Sequence, residues 1–101
     1  MNITTKNEND VITISVNGWL DTVSSPLLGE EVDKISSASQ IILDFDKVEY
    51  IASSGLRQIV SCYKKAKEMK ADFSVINVGN EVISIFRLTG IDKKITVKEK
   101  E

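Results

Sequence analysis

The sequence predicts an α/β fold: one domain over residues 1–101 with a mixed, mostly parallel sheet packed against about three helices. Three observations carry this. Ile and Val supply 23 of the 101 residues, a composition that favours strands buried on both faces. Short apolar runs alternate with stretches of helical periodicity after an opening hairpin pattern. At 101 residues and 42% apolar composition, the chain has enough material for one core and too little for two.

The elements follow in order. Ile12, Ile14 and Val16 alternate with Thr13 and Ser15, the period of a strand with one wet face. Its partner is the stretch around Ile3, across a polar turn at residues 6–10. Ser25 before Pro26 predicts an N-cap and a first-turn proline, with Glu30 and Glu31 as acids near the positive helix end. Leu28, Val32 and Ile35 form the apolar stripe of that helix, and Gly29 weakens it by about 1 kcal/mol. Residues 40–45 are a compact apolar run ending in Asp44 and Asp46, as expected of a central parallel strand whose carboxyl end reaches solvent. From Leu56 the apolar positions 56, 59, 60, 63 and 66 mark an amphipathic helix, with Lys64, Lys65 and Lys67 on a solvated face. Residues 73–78 form another strand. Asn80 caps a helix through Leu88, Gly90 ends it in the left-handed region, residues 95–97 add an edge strand, and residues 98–101 are a frayed tail. Right-handed crossovers then place the functional surface at the carboxyl ends of the strands.

Composition removes several functions. With 13 basic and 15 acidic residues the net charge is -2, so no cationic surplus exists for a phosphate backbone or an anionic bilayer. Neither nucleic acid nor membrane is an expected partner. The longest aliphatic run, Ile41-Ile42-Leu43, is far short of the roughly 20 residues of a membrane span, and residues 1–10 are too polar for a signal peptide. A cytoplasmic location is expected. Cys62 is the single cysteine and histidine is absent, which excludes disulfide scaffolds, zinc sites and histidine triads. No cofactor is expected.

Four places could carry chemistry. Asp44 and Asp46 invite a magnesium-dependent carboxylate phosphatase, but the chain after them lacks room for the lysine and further acidic loop that this chemistry uses. Cys62, beside the apolar stripe, is expected in the core. Asn17-Gly18 suits a tight turn, and Trp19 after a core strand is expected to pack. Residues 48–57 read as a strand-exit loop with adjacent Ser53 and Ser54 at a helix start. A serine there serves either as an N-cap or as a phosphate acceptor beside backbone amides and the positive helix end, and composition alone favours capping. Gly55 gives a partner access to the backbone, and Arg57, read as a first-turn residue, gains nothing from the helix dipole and suits a partner carboxylate.

Val48-Glu49-Tyr50-Ile51-Ala52-Ser53-Ser54-Gly55-Leu56 resembles the signature loop of STAS domains, the sulfate-transporter and anti-sigma-factor-antagonist family, where a strand leads into Asp-Ser-Ser-Gly-Leu or Asp-Ser-Thr-Gly-Leu and a helix. Gly18-Trp19-Leu20-Asp21 resembles its Gly-x-Leu-Asp turn, Ile42-Leu43-Asp44 its central strand, and Leu88-Thr89-Gly90-Ile91 its late Leu-x-Gly-Leu stretch. The matches keep the family's order from Val11 to Val97. The resemblance implies a STAS-like fold and a non-enzymatic anti-sigma factor antagonist. Such a protein binds an anti-sigma factor with serine kinase activity, releasing sigma factor, until that kinase phosphorylates the first loop serine; a serine phosphatase would reset it. Ser53 matches that serine. By the same resemblance Asp21, Ala52, Ser54, Gly55 and Leu56, with Arg57 beside them, form the partner-binding surface. Ala52 departs from the family's usual aspartate, a change that bears on phosphorylation more than on binding. The alternative is a STAS interaction module of a stressosome-like or lipid-transport assembly.

Overall fold

In the computed structural model, which describes residues 2–101, the alternation of Ile12, Ile14 and Val16 sets the register of the whole sheet. β1 (Asn2–Glu8) pairs antiparallel with β2 (Val11–Leu20), placing Ile3 opposite Val16 and Glu8 opposite Val11. Asn9 and Asp10 make the two-residue turn with φ of 53° and 68°, the left-handed pair that matches hairpin twist. β3 (Gln40–Ile51), β4 (Asp72–Val78) and β5 (Thr96–Glu99) follow in parallel, in the order β1-β2-β3-β4-β5. Between them lie α1 (Ser25–Asp33), α2 (Ser53–Glu68), α3 (Asn80–Thr89) and α4 (Ile91–Lys94).

Because neighbours in the sheet are also neighbours in the chain, right-handed crossovers put every helix on the same face. That face carries the rows Ile12, Ile41, Phe73 and Ile14, Leu43, Val75, Val97. Leu28 and Val32 of α1, Ile59, Cys62 and Ala66 of α2, and Val82, Ile83 and Phe86 of α3 close over them. Thr13, Ser15 and Asp44 point to the other face and are half-buried or exposed, as are Ile42 and Ile76. The expectation of strands buried on both faces therefore gives way to a single helical layer.

Several boundaries differ from the sequence reading. Asn17-Gly18 makes no turn: β2 runs on through a register shift there, with Gly18 at φ 102°, and pairs Trp19 with Tyr50 and Leu20 with Ile51. That pairing extends β3 to Ile51, so Asp44 and Asp46 lie inside a strand and not at its exit. β4 leaves β3 after the Asp44–Ile76 pair, where Asn77 takes φ 57°. The N-cap of α1 is Ser24, with Ser25 inside the helix, its hydroxyl buried and without a hydrogen-bond partner among the described residues. No acid falls in its first turn, and Ile35 lies beyond its end. α2 begins at Ser53, which makes Arg57 its fifth residue and not a first-turn one, and its most buried side centres on Ile59, Cys62 and Ala66. Gly79, not Asn80, caps α3; Gly90 ends it at φ 79° as expected. The single turn of α4 is too short to announce itself by periodicity. Lys98 and Glu99 belong to β5, and the Lys100 amide donates to the Val78 carbonyl at 2.9 Å while its ammonium pairs with Asp46 at 3.2 Å, so residues 98–100 are held.

Two glycines test this packing. A Cβ on Gly55 would lie 2.7 Å from the Leu20 carbonyl oxygen and 2.8 Å from Ile51 Cγ1, whereas one on Gly29 meets only the end of the Gln58 side chain. Gly55→Ala is expected to cost about 1–3 kcal/mol in urea unfolding. Gly29→Ala is expected to be neutral or stabilising by up to about 1 kcal/mol, because Gln58 can swing aside and the helix loses a poor former.

Candidate functional site

The carboxyl ends of β2 and β3 deliver two turns to one place. Leu20 and Ile51 are paired, and the Ala52 amide donates to the Leu20 carbonyl at 2.9 Å, so the chain enters α1 and α2 side by side. In the first turn Asp21 Oδ1 accepts from the Val23 amide at 3.1 Å, the Ser24 amide at 3.0 Å and the Ser24 hydroxyl at 2.9 Å. The Ser24 hydroxyl also accepts from the Asp21 amide at 2.9 Å and reaches the Trp19 carbonyl at 2.6 Å. These bonds, those from Ser24 foremost, hold the Asp21 carboxyl below its ordinary value. Thr22 Oγ1 lies 3.3 Å from Ser54 Oγ and joins this turn to the start of α2.

In the second turn Ala52 is the N-cap, extended at φ -96° and ψ 173°, and offers no side-chain acceptor. Its carbonyl accepts the first helical bond, from the Leu56 amide at 3.1 Å. The amides of Ser53, Ser54 and Gly55 consequently have no acceptor among the described residues. Capping by a serine, the reading composition favoured, is not how this helix starts. Ser53 is exposed, Ser54 half-buried beside Thr22, and Gly55 buried against β2.

From Ser53 a groove of about 630 Å³ runs along α2 past Leu56, Arg57, Val60 and Lys64, with Thr89 of α3 opposite. It joins the expected Ser53, Leu56 and Arg57 to Val60 and Thr89, which the sequence reading missed, as it missed Thr22 beside Ser54. Val23 and Leu88 are also exposed apolar residues, at 86% and 87%, and Leu27 is half exposed. The available signal was an apolar residue off its helix's stripe, as Leu88 is relative to Val82, Ile83 and Phe86. Trp19, expected to pack, is 56% exposed, because Leu20 takes the core position and leaves the indole beside Tyr50, ring centroids 5.3 Å apart.

The other candidates are occupied structurally. Asp44 Oδ1 accepts from the Asp46 amide and from Asn77 Nδ2, both at 3.0 Å, and Asp46 pairs with Lys100. Among the described residues no group of three His, Cys, Asp or Glu is placed to hold a metal ion. Burial pushes the Cys62 thiol up to about 11, far from a reactive thiolate, as its core position implies.

This loop, strand and helix arrangement agrees with comparison to known proteins: the STAS domain family model matches residues 2–101. The chain belongs to the STAS domain family. It is similar to the anti-sigma-B factor antagonist of Bacillus subtilis (28% identity over 96 residues, 94% of this chain and 87% of that protein). The anti-sigma-B factor antagonist of Listeria monocytogenes is 26% identical over 96 residues, covering 93% and 84%. Among solved structures, an anti-sigma factor antagonist from Mycobacterium paratuberculosis superposes with a TM-score of 0.86 at 25% identity, covering 96% of this chain and 84% of that one.

In this STAS domain the Asp21 turn should be sensitive to acid. Asp21 has a lowered folded-state pKa, so its contribution is present above the ordinary carboxylate value and lost as pH falls through the lower folded value. Asp21→Asn is expected to be less stable than wild type at pH 7, with the difference shrinking below about pH 3.9, the ordinary aspartate value. Chemical unfolding at a series of pH values measures it.

Proposed function

We propose that this STAS domain is an anti-sigma factor antagonist, a cytoplasmic regulator that acts by binding and not by catalysis. It docks an anti-sigma factor with serine kinase activity, freeing sigma factor, and is switched off when that kinase phosphorylates Ser53. The relatives' names support the antagonist assignment. The observation that carries the site is Ser53, an exposed hydroxyl at an uncapped helix start beside the Asp21 turn and the α2 groove. The partner rests on Ala52, Ser54, Gly55, Leu56 and Arg57 together with Asp21. A serine phosphatase restores the unmodified form.

Magnitudes fix how the switch works. A phosphate on Ser53 adds about -1.5 to -2 charges near a helix N-terminus, where the dipole stabilises an anion by about 0.3–1 kcal/mol, so the domain stays folded. Against a docked partner the same dianion loses water, at several kcal/mol if unpaired. A hundredfold loss of affinity needs only about 2.7 kcal/mol, so occlusion and charge suffice without a conformational change.

A second reading, an interaction module of a stressosome-like or lipid-transport assembly, is favoured by Ala52, which removes the usual carboxylate next to the acceptor serine. Incubation with the anti-sigma factor kinase and ATP decides between them. Mass spectrometry is expected to place phosphate on Ser53 and not Ser54. By titration calorimetry Ser53→Ala is expected to bind with or without ATP, and Ser53→Asp to lose at least about a hundredfold in affinity while keeping its melting temperature. Phosphate on Ser54, or tight binding by the phosphorylated protein, overturns the switch; absence of any anti-sigma factor binding favours the second reading.

A further inference from the structure

Arg57 stands four residues after Ser53 on α2, the spacing at which helical side chains meet, and both border the same groove. It is exposed, and no carboxylate lies within ion-pair distance of it among the described residues. The chain's other arginine, Arg87, is engaged with Glu99, so Arg57 is the one arginine without an ion-pair partner among the described residues. In a chain of net charge -2, an unpaired arginine one turn from the acceptor hydroxyl is a cation held in reserve.

We propose that Arg57 is the internal counter-ion of a phosphate carried by Ser53. This rests on the reading of Ser53 as the acceptor and adds to it. An arginine at this distance meets phosphate oxygens with two parallel N–H donors, geometry a lysine cannot reproduce. The unpartnered amides of Ser53, Ser54 and Gly55 supply further donors from below. Phosphorylation then acts twice at the partner surface: it introduces an anion, and it withdraws from the partner the cation that had been available to a carboxylate there. The charged groups that line the groove with Ser53 are Arg57, one turn along α2, and Lys64, three turns along it; Asp21 stands in the adjoining turn, its Oδ1 engaged by Val23 and Ser24.

The test needs no kinase. Phosphoserine is installed at position 53 by synthesis, and its second ionisation is followed by phosphorus-31 NMR. Free phosphoserine titrates near pH 6. The expected midpoint lies below that, and Arg57→Gln raises it by at least about 0.5 unit, because removing a neighbouring cation disfavours the dianion. Arg57→Lys restores part of the shift, and Lys64→Gln leaves the midpoint unchanged. An Arg57→Gln midpoint equal to that of the parent, or a shift that follows Lys64 instead, overturns the proposal. Anti-sigma factor binding by the unmodified protein is measured separately, so failure of the antagonist reading shows there and failure of the counter-ion shows in the titration.

Discussion

Everything at the candidate site depends on how closely the first turn of α2 lies on the end of β2. Gly55 is the residue that permits it: the space a Cβ would need is taken by the Leu20 carbonyl and the Ile51 side chain. That contact, with the Ala52 amide bonded to the same Leu20 carbonyl, fixes the helix start relative to the Asp21 turn. Two loops that separate strands would ordinarily move independently. Here they share a strand end, and the Thr22–Ser54 contact closes the remaining gap.

The sheet topology explains how a small chain holds these two turns together. Sequential parallel strands place all the helices on one face, so one core serves sheet and helices together. Strands β2 and β3 continue as a pair past the point where β4 turns away, carrying Leu20 and Ile51 beyond the edge of the central pairing. The site sits at the end of that two-stranded extension. The acidic pair that suggested catalysis is spent on the same architecture, with Asp44 bonded to Asn77 at the divergence of β4 and Asp46 to the anchoring Lys100.

Much of the fold was legible in the sequence, because alternation in residues 11–16 and the 3.6-residue period after Leu56 are direct images of burial. Boundaries were less so. The length of β3 depends on a register shift in β2 that no local pattern encodes, and α4 is a single turn, too short to show a period. The serine pair drew attention to this loop, yet residue chemistry alone put capping first, since an N-cap and the next helical residue differ only in backbone angles at Ala52. The likeness to the family's Ser-Ser-Gly-Leu loop, together with Gly18 to Asp21, was what singled out Ser53. Thr22 and Thr89 were hidden because they join the site only through tertiary contact, and Val60 because it counted toward the apolar stripe of α2.

The exposure of Trp19 has a practical side. It is the only tryptophan in the chain, more than half in solvent, and its carbonyl oxygen is bound by the same Ser24 hydroxyl that braces Asp21. Its emission is therefore a native optical reporter two residues from the site. Docking that covers the indole, or loss of the Ser24 brace that lets it move, would change its fluorescence in an unlabelled protein, while the buried core contributes no competing indole signal.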